Sequence, residues 1–318
     1  MGVLPRQPAG RRGGRGHWRD GDRRARREAQ PPLGLHPAVA GAGAAADVRG
    51  VVRCRGHRGT ITTEAAMSQA RFPVESDLIP YAAGFPPGSR WLVLAPHPDD
   101  EVFGVGATLA LAAARGVEAH VVVVTDGGVQ GDPAEREAAA TAAAAALGVP
   151  PPEFWRLADR SLRPSAAALR RRLCEAFVRL APDVVFVTSP VELHPDHRAL
   201  ALAVQRAVRA ATLAGLREQR PGWVAAYEVS APLAPNLLVA ADGGWEAKRR
   251  AGACYAAQLA FRRYDEVAEA FATLRALTLD GVARAEALHL LPARRVARLS
   301  GRGWAARMGT APAVPGRG

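Results

Sequence analysis

From residue 90 onwards the chain alternates between two textures. Short unbroken apolar runs are followed by longer stretches in which apolar residues recur every three or four positions. WLVLA (91–95), EAHVVVVTDGG (118–128), FWRL (154–157), DVVFVTS (183–189), WVAAYEVS (223–230) and NLLVAAD (236–242) have the length and texture of strands. The longer stretches read as helices over 102–116, 134–148, 165–182 and 196–215, with two more near 245–262 and 265–279. Gly116 and Gly148 supply helix stops, and Ser165 a helix cap. Strands that are apolar on both faces, separated by helices, build a parallel sheet covered on two sides. One doubly wound α/β domain is expected over 67–300, and a flexible, aperiodic tail over 301–318.

The first 66 residues have a different composition. They carry RRGGRG, DRRARRE and AVAGAGAAAD without a sustained period, and bury too little apolar surface to offset chain entropy. The expectation is a disordered stretch, or one outside the natural product, with Met67 as the true start. The chain's 41 Arg against a single Lys, Lys248, fit a GC-rich coding sequence in which such a stretch arises out of frame. This segment also concentrates the charge. It holds 13 Arg and 5 acids, a net of +8 out of +12, so the remainder (29 basic, 25 acidic) is only mildly basic. Specific nucleic-acid binding is therefore not expected. Cys54, Cys174 and Cys254 form no CxxC pair, and no apolar stretch is long enough for a membrane span. A reducing, cytoplasmic setting is the expectation.

The chemistry concentrates at two strand ends. PHPDDE (96–101) follows the first strand, and in open parallel sheets ligands bind beyond the carboxyl ends of strands. Imidazole and carboxylate are ligands for Zn²⁺. His97 and Asp100, three apart in a turn, can converge on one ion, leaving Asp99 for proton transfer. Asp99, Asp100 and Glu101 also suit a helix's first turn, but that use does not require the His-Pro before them. SPVELHPDHRAL (189–200) repeats strand, His-Pro-Asp and helix, and offers His194 or His197 as a third ligand. Three protein ligands and an open position are what a hydrolytic zinc site requires.

PHPDDE (96–101) and HPDH (194–197) together resemble the two signatures of the LmbE/PIG-L family of metal-dependent N-deacetylases. TDGG (125–128), Arg136-Glu137 with Leu147-Gly148, AYEVSAPLAPNLLVA (226–240) and KRRAGACYAAQL (248–259) extend the resemblance over about 90–290. Three positions depart from the usual pattern: Ala139, Ala240 and Ala257. The resemblance implies a three-layer, Rossmann-like fold and hydrolysis of an N-acetyl amide on a GlcNAc-type sugar or glycoconjugate. It implies one Zn²⁺ per chain held by His97, Asp100 and His197, Asp99 as general base, and His194 stabilising the oxyanion or donating a proton, a role better served by the imidazolium. Asp196 either orients His194 or caps the following helix, and Glu101 either starts the helix or, the favoured reading, accepts from a metal-bound histidine. Arg136 and Asp126 are the candidates for holding substrate. Metal affinity and rate together imply a bell-shaped pH profile.

Tyr227 and Glu228 end a strand and read either as pocket or as core. Gln258 and Tyr264 read as structural. His120, without an acidic partner in view, and His289 read as packed histidines, and Arg170 to Arg172 as a solvated helix face. Two other functions compete: an amidase acting on a thiol conjugate at the same site, or a binding protein whose basic N-terminus grips nucleic acid with the α/β domain as a platform.

Overall fold

The computed structural model describes residues 82–216 and 220–309, so the expectations for residues 1–66 lie outside the described residues. Its centre is β2 (Arg90–Ala95), whose side chains alternate between two cores. Leu92 and Leu94 point to one, Trp91 and Val93 to the other. A strand apolar on both faces has to be covered on both. On one side α1 (Asp100–Ala114), α2 (Pro133–Leu147) and α5 (Asp242–Ala253) supply the cover. On the other it comes from α3 (Ala166–Leu180), α4 (Pro195–Leu213), α8 (Ala293–Arg298) and α9 (Gly301–Gly309).

The remaining strands are β1 (Ala82–Ala83), β3 (Glu118–Thr125), β4 (Glu153–Leu157), β5 (Val184–Thr188), β6 (Trp223–Tyr227), β7 (Leu237–Ala240) and β8 (Ala285–Pro292), and α6 (Ala256–Phe261) and α7 (Tyr264–Ala276) complete the helices. The sheet order is β1-β7-β8-β6-β5-β2-β3-β4. All pairings are parallel except those of β8, which runs antiparallel to β6 and β7. The expected Rossmann-like, mostly parallel α/β sheet is therefore present. From β2 the chain proceeds outward through β3 and β4, then returns to lay β5 on the other side of β2. That reversal opens a crevice at the carboxyl ends of β2 and β5, the place where open α/β sheets bind ligands.

The register finishes the placement. Trp91 pairs with Val184 and Leu94 with Val187, so PHPDDE and HPDH leave the sheet side by side, although His97 and His197 are 100 positions apart. Six expected strands are found, each starting within a residue or so of its apolar run. Gly148 closes α2 in the left-handed region (φ 75°). Ser165 precedes α3 without a side-chain cap bond. The pattern does not predict β8, because AEALHLLP reads equally as helix.

The tail expectation needs correction over 301–309. Gly301–Gly309 is helical, with Trp304 and Met308 buried in the core beneath α4 and α8. Two apolar anchors four apart suffice for one short helix, too little to register as a period. Trp304→Ala should lower unfolding free energy by about 3–5 kcal/mol. Urea denaturation followed by far-UV circular dichroism measures it; a loss below about 1 kcal/mol would mean this helix is not part of the core.

Candidate metal centre

Pro96 to Glu101 make a turn that the chain would not adopt unaided. Asp99 has φ 128° and ψ −30°, a conformation that costs a non-glycine residue about 1–3 kcal/mol. Several bonds hold it there. The Asp99 amide donates to Glu101 Oε2 (3.1 Å), and its carbonyl accepts from the amides of Val102 (3.0 Å) and Phe103 (2.9 Å). Arg136, reaching across from α2, donates to Pro98 O (2.6 Å), Asp99 Oδ2 (3.0 Å) and Gly127 O (3.1 Å). Gly127 makes room: a Cβ there would lie 2.9 Å from the guanidinium, and its φ of 63° suits glycine.

Three donor atoms meet at the pocket floor. His97 Nδ1 lies 3.2 Å from Asp100 Oδ2, His197 Nε2 lies 3.1 Å from the same oxygen, and the two ring nitrogens are 3.3 Å apart. Bonds of about 2.0–2.2 Å at tetrahedral angles place ligand atoms about 3.3–3.6 Å from one another. The triangle and its two-imidazole, one-carboxylate chemistry thus fit a divalent cation such as Zn²⁺. Burial alone would lower the pKa of His197, but the Asp100 carboxylate outweighs it and pushes the value up to about 9. The same contacts hold Asp100 well below the usual carboxylate range against the opposing effect of burial.

Around this triangle stands a ring of acceptors. His97 Nε2 faces Asp159 Oδ1 at 3.2 Å and Asp196 Oδ2 at 3.7 Å, which turns Nδ1 inward. Asp159 accepts from Val129 N, and its own amide donates to Asp126 Oδ1 (3.1 Å). Asp196 accepts from the amides of Arg160 (2.6 Å) and Leu162 (3.2 Å). His197 Nδ1 is directed at Glu192 Oε2, 3.6 Å away, a charge contact rather than a hydrogen bond. Glu192 itself gathers the Val229 amide (2.6 Å), the Ser230 hydroxyl (2.6 Å) and the Ala231 amide. Buried carboxylates with this many donors are stable as anions and rigidify the rings they face.

The structure corrects several expected roles. His194 Nδ1 accepts from the Asp196 amide and caps α4. Its burial and the nearby His97 and His197 rings lower its pKa to about 4. With Nδ1 accepting from that amide, the ring presents its N–H at Nε2. Asp196 faces His97 rather than His194. Glu101 meets no metal-site histidine; it accepts from Tyr255 OH and the Asp99 amide, and burial pushes its pKa up to about 7. Arg136 is 3% exposed and holds the turn, and it also reaches the pocket lining. Asp126 accepts from the amides of Gly128 and Asp159, which makes it a loop brace. Tyr227 is core, its hydroxyl on Leu94 O, and Glu228 pairs with Arg275. His120 does have an acidic partner, Glu153 at 3.0 Å, while His289 packs with Nδ1 against Ala234 O. Tyr264, expected to be structural, lines the pocket.

The pocket above the triangle measures about 400 Å³. Asp99, His194, Phe103, Gln130, Ser230 and Tyr264 line it, with Arg160 and Arg262 at its wall. The sequence pattern does not single out Asp159 and Glu192. Each follows a strand's carboxyl end by two to four positions, the signal that would have found them. No helix among the described residues is long and apolar enough to cross a membrane.

Residues 92–208 match a family model described as PIG-L, GlcNAc-PI de-N-acetylase. Similar solved structures include a conserved protein, TT1542, from Thermus thermophilus. It is 31% identical, with 64% of this chain and 96% of that one covered and a TM-score of 0.58. A 4-carboxy-2-hydroxymuconate hydratase from Pseudomonas putida is 25% identical over 64% of this chain and 96% of its own (TM-score 0.54). The N,N'-diacetylchitobiose deacetylase from Pyrococcus horikoshii shares the fold at 23% identity, over 65% of this chain and 85% of its own (TM-score 0.57). No curated protein matches.

Two measurements test the centre. Asp159→Asn and Glu192→Gln should each weaken Zn²⁺ binding by about 10–100-fold in chelator competition. In the metal-free protein a proton sits on His197 until about pH 9. Its raised pKa stabilises the metal-free fold fully below about pH 6.5, and that contribution fades as pH rises through 9. Zn²⁺ has to displace the proton, so affinity should climb between those values; a flat profile would contradict a protonated His197.

Proposed function

The chain belongs to the PIG-L (LmbE-like) family of hydrolytic N-deacetylases, and from that premise we propose that it removes the acetyl group from an N-acetylated amino sugar with the help of Zn²⁺. One observation carries the reading: His97 Nδ1, Asp100 Oδ2 and His197 Nε2 converge within 3.3 Å beside an Asp99 that opens onto the pocket. Bound by those three residues, the cation supplies Lewis-acid polarisation of the water and the amide carbonyl.

Asp99 is the proton carrier. Burial and the adjacent Asp100 raise its pKa well above the usual carboxylate range, although Arg136 pulls it down. Arg136 occupies Oδ2, and Oδ1 has no hydrogen-bond partner among the described residues. Oδ1 accepts a proton from water as the hydroxide oxygen bonds to the acetyl carbon. His194 donates from Nε2 to the oxyanion that forms, since its Nδ1 is tied to the Asp196 amide. The C–N bond then breaks as Asp99 returns the proton to nitrogen, leaving acetate and a free amine. Phe103 and Tyr264 offer apolar and aromatic surface to a sugar face, while Gln130 and Ser230 offer polar groups to hydroxyls.

The expected result is acetate release from N-acetylated sugars that stops with chelator and returns with Zn²⁺. Asp99→Asn should lower kcat by about 10²–10⁴-fold while the protein keeps its metal, and His97→Ala should lose the metal. Acetate also separates this chemistry from hydration, which releases nothing. Activity that survives both the chelator and Asp99→Asn would overturn the assignment.

A further inference from the structure

Helix α1, which begins in the metal-binding turn, is broken one turn in. Val105 has φ −133° and ψ 23°. In an unbroken helix the Ala107 amide would donate to Phe103 O, and the Thr108 amide to Gly104 O. Here Ala107 N donates to Glu286 Oε1 (3.0 Å) and Thr108 N to Glu286 Oε2 (2.7 Å). The released Phe103 carbonyl accepts from Lys248 Nζ (2.9 Å), which also pairs with Glu286 Oε1 at 2.6 Å. A side-chain ion pair from α5 and β8 has been inserted into the backbone ladder of α1. Glu286 acts as the acidic cap of the helix's second half, where the amide ends favour a negative charge.

The insertion is packed from several sides. Both side chains are buried, at 5% and 2% exposure. A Cβ on Gly106 would come within 3.1 Å of Lys248 Cγ, and one on Gly244 would collide with Ala107 O, so α5 lies directly against the break. Lys248 is also the chain's single lysine. A buried ion pair adds little net stability compared with apolar residues of the same shape, even when its hydrogen bonds are satisfied. Its effect here is geometric: it frees the direction of the first turn from that of the rest of α1. The link to the site is short. Lys248 holds Phe103 O, and the Phe103 amide holds the carbonyl of Asp99 (2.9 Å).

We propose that Lys248 and Glu286 are positioning residues, an ion pair built into the break of α1 that aims the turn bearing Asp99 and Asp100 at His97 and His197. The proposal rests on the metal-site reading, and the test keeps the two apart. Zn²⁺ affinity is measured by chelator competition, and the visible spectrum of the Co²⁺-loaded protein reports ligand geometry. Lys248→Met should weaken Zn²⁺ binding and lower kcat, each at least about tenfold, with KM within about twofold and the Co²⁺ bands altered. Gly106→Ala, which only presses on the lysine stem, should shift the same readouts in the same direction by less, and serves if Lys248→Met does not fold. Leu147→Ala, in the core at the far end of α2, should lower Tm and leave both metal readouts unchanged. Folded variants with wild-type Zn²⁺ affinity and Co²⁺ spectrum would overturn the proposal alone; wild-type protein that binds no Zn²⁺ would overturn the metal reading with it.

Discussion

The parallel ladder between β2 and β5 is the constraint on which the site depends. Four consecutive residue pairs, Trp91 with Val184 through Leu94 with Val187, bring two His-Pro-Asp loops to a common edge. No local propensity could do this, because His97 and His197 are 100 positions apart in sequence. The hydrophobic faces of both strands set the register, and slipping it by one residue would turn Leu92 and Leu94 toward the wrong helical layer. The core's packing and the ligand triangle are thus two results of one alignment.

Bringing acids and imidazoles together in a buried edge is unfavourable unless each charge is matched. The compensation is spread over many elements. Arg136 from α2 faces Asp99, the β4–α3 loop gives Asp159, and Glu192 binds the segment after β6 to His197. Backbone amides supply much of the rest, with Asp196, Asp126 and Glu192 each collecting at least two. The strained φ of Asp99 persists because this surrounding network fixes it, in a position where the residue lines the pocket.

Most of the architecture could be read from periodicity, since its strands are apolar on two faces and its helices amphipathic or rich in alanine. The ligand triangle was readable because a histidine, a proline and an aspartate at two strand ends form a local pattern. What escaped was non-local. Asp159 and Glu192 look like ordinary loop acids until the fold sets a histidine beside them. Arg136 reads as a substrate handle, and a sequence does not reveal that its guanidinium also binds Pro98, Asp99 and Gly127. β8 was hidden by a short apolar run with no β-branched residue, and α9 by its brevity.

The pocket is built from two kinds of material. Its floor hangs from the central strands and from helix starts braced by buried ions. Its upper wall, with Gln130, Tyr264 and Arg262, comes from a short 3₁₀ turn and the α6–α7 corner, away from β2 and β5. Mutational tolerance is accordingly uneven around one cavity. Substitutions in the wall leave the reacting atoms where they are, so drift there can redirect which molecule is accepted while the bond-breaking apparatus beneath stays unchanged.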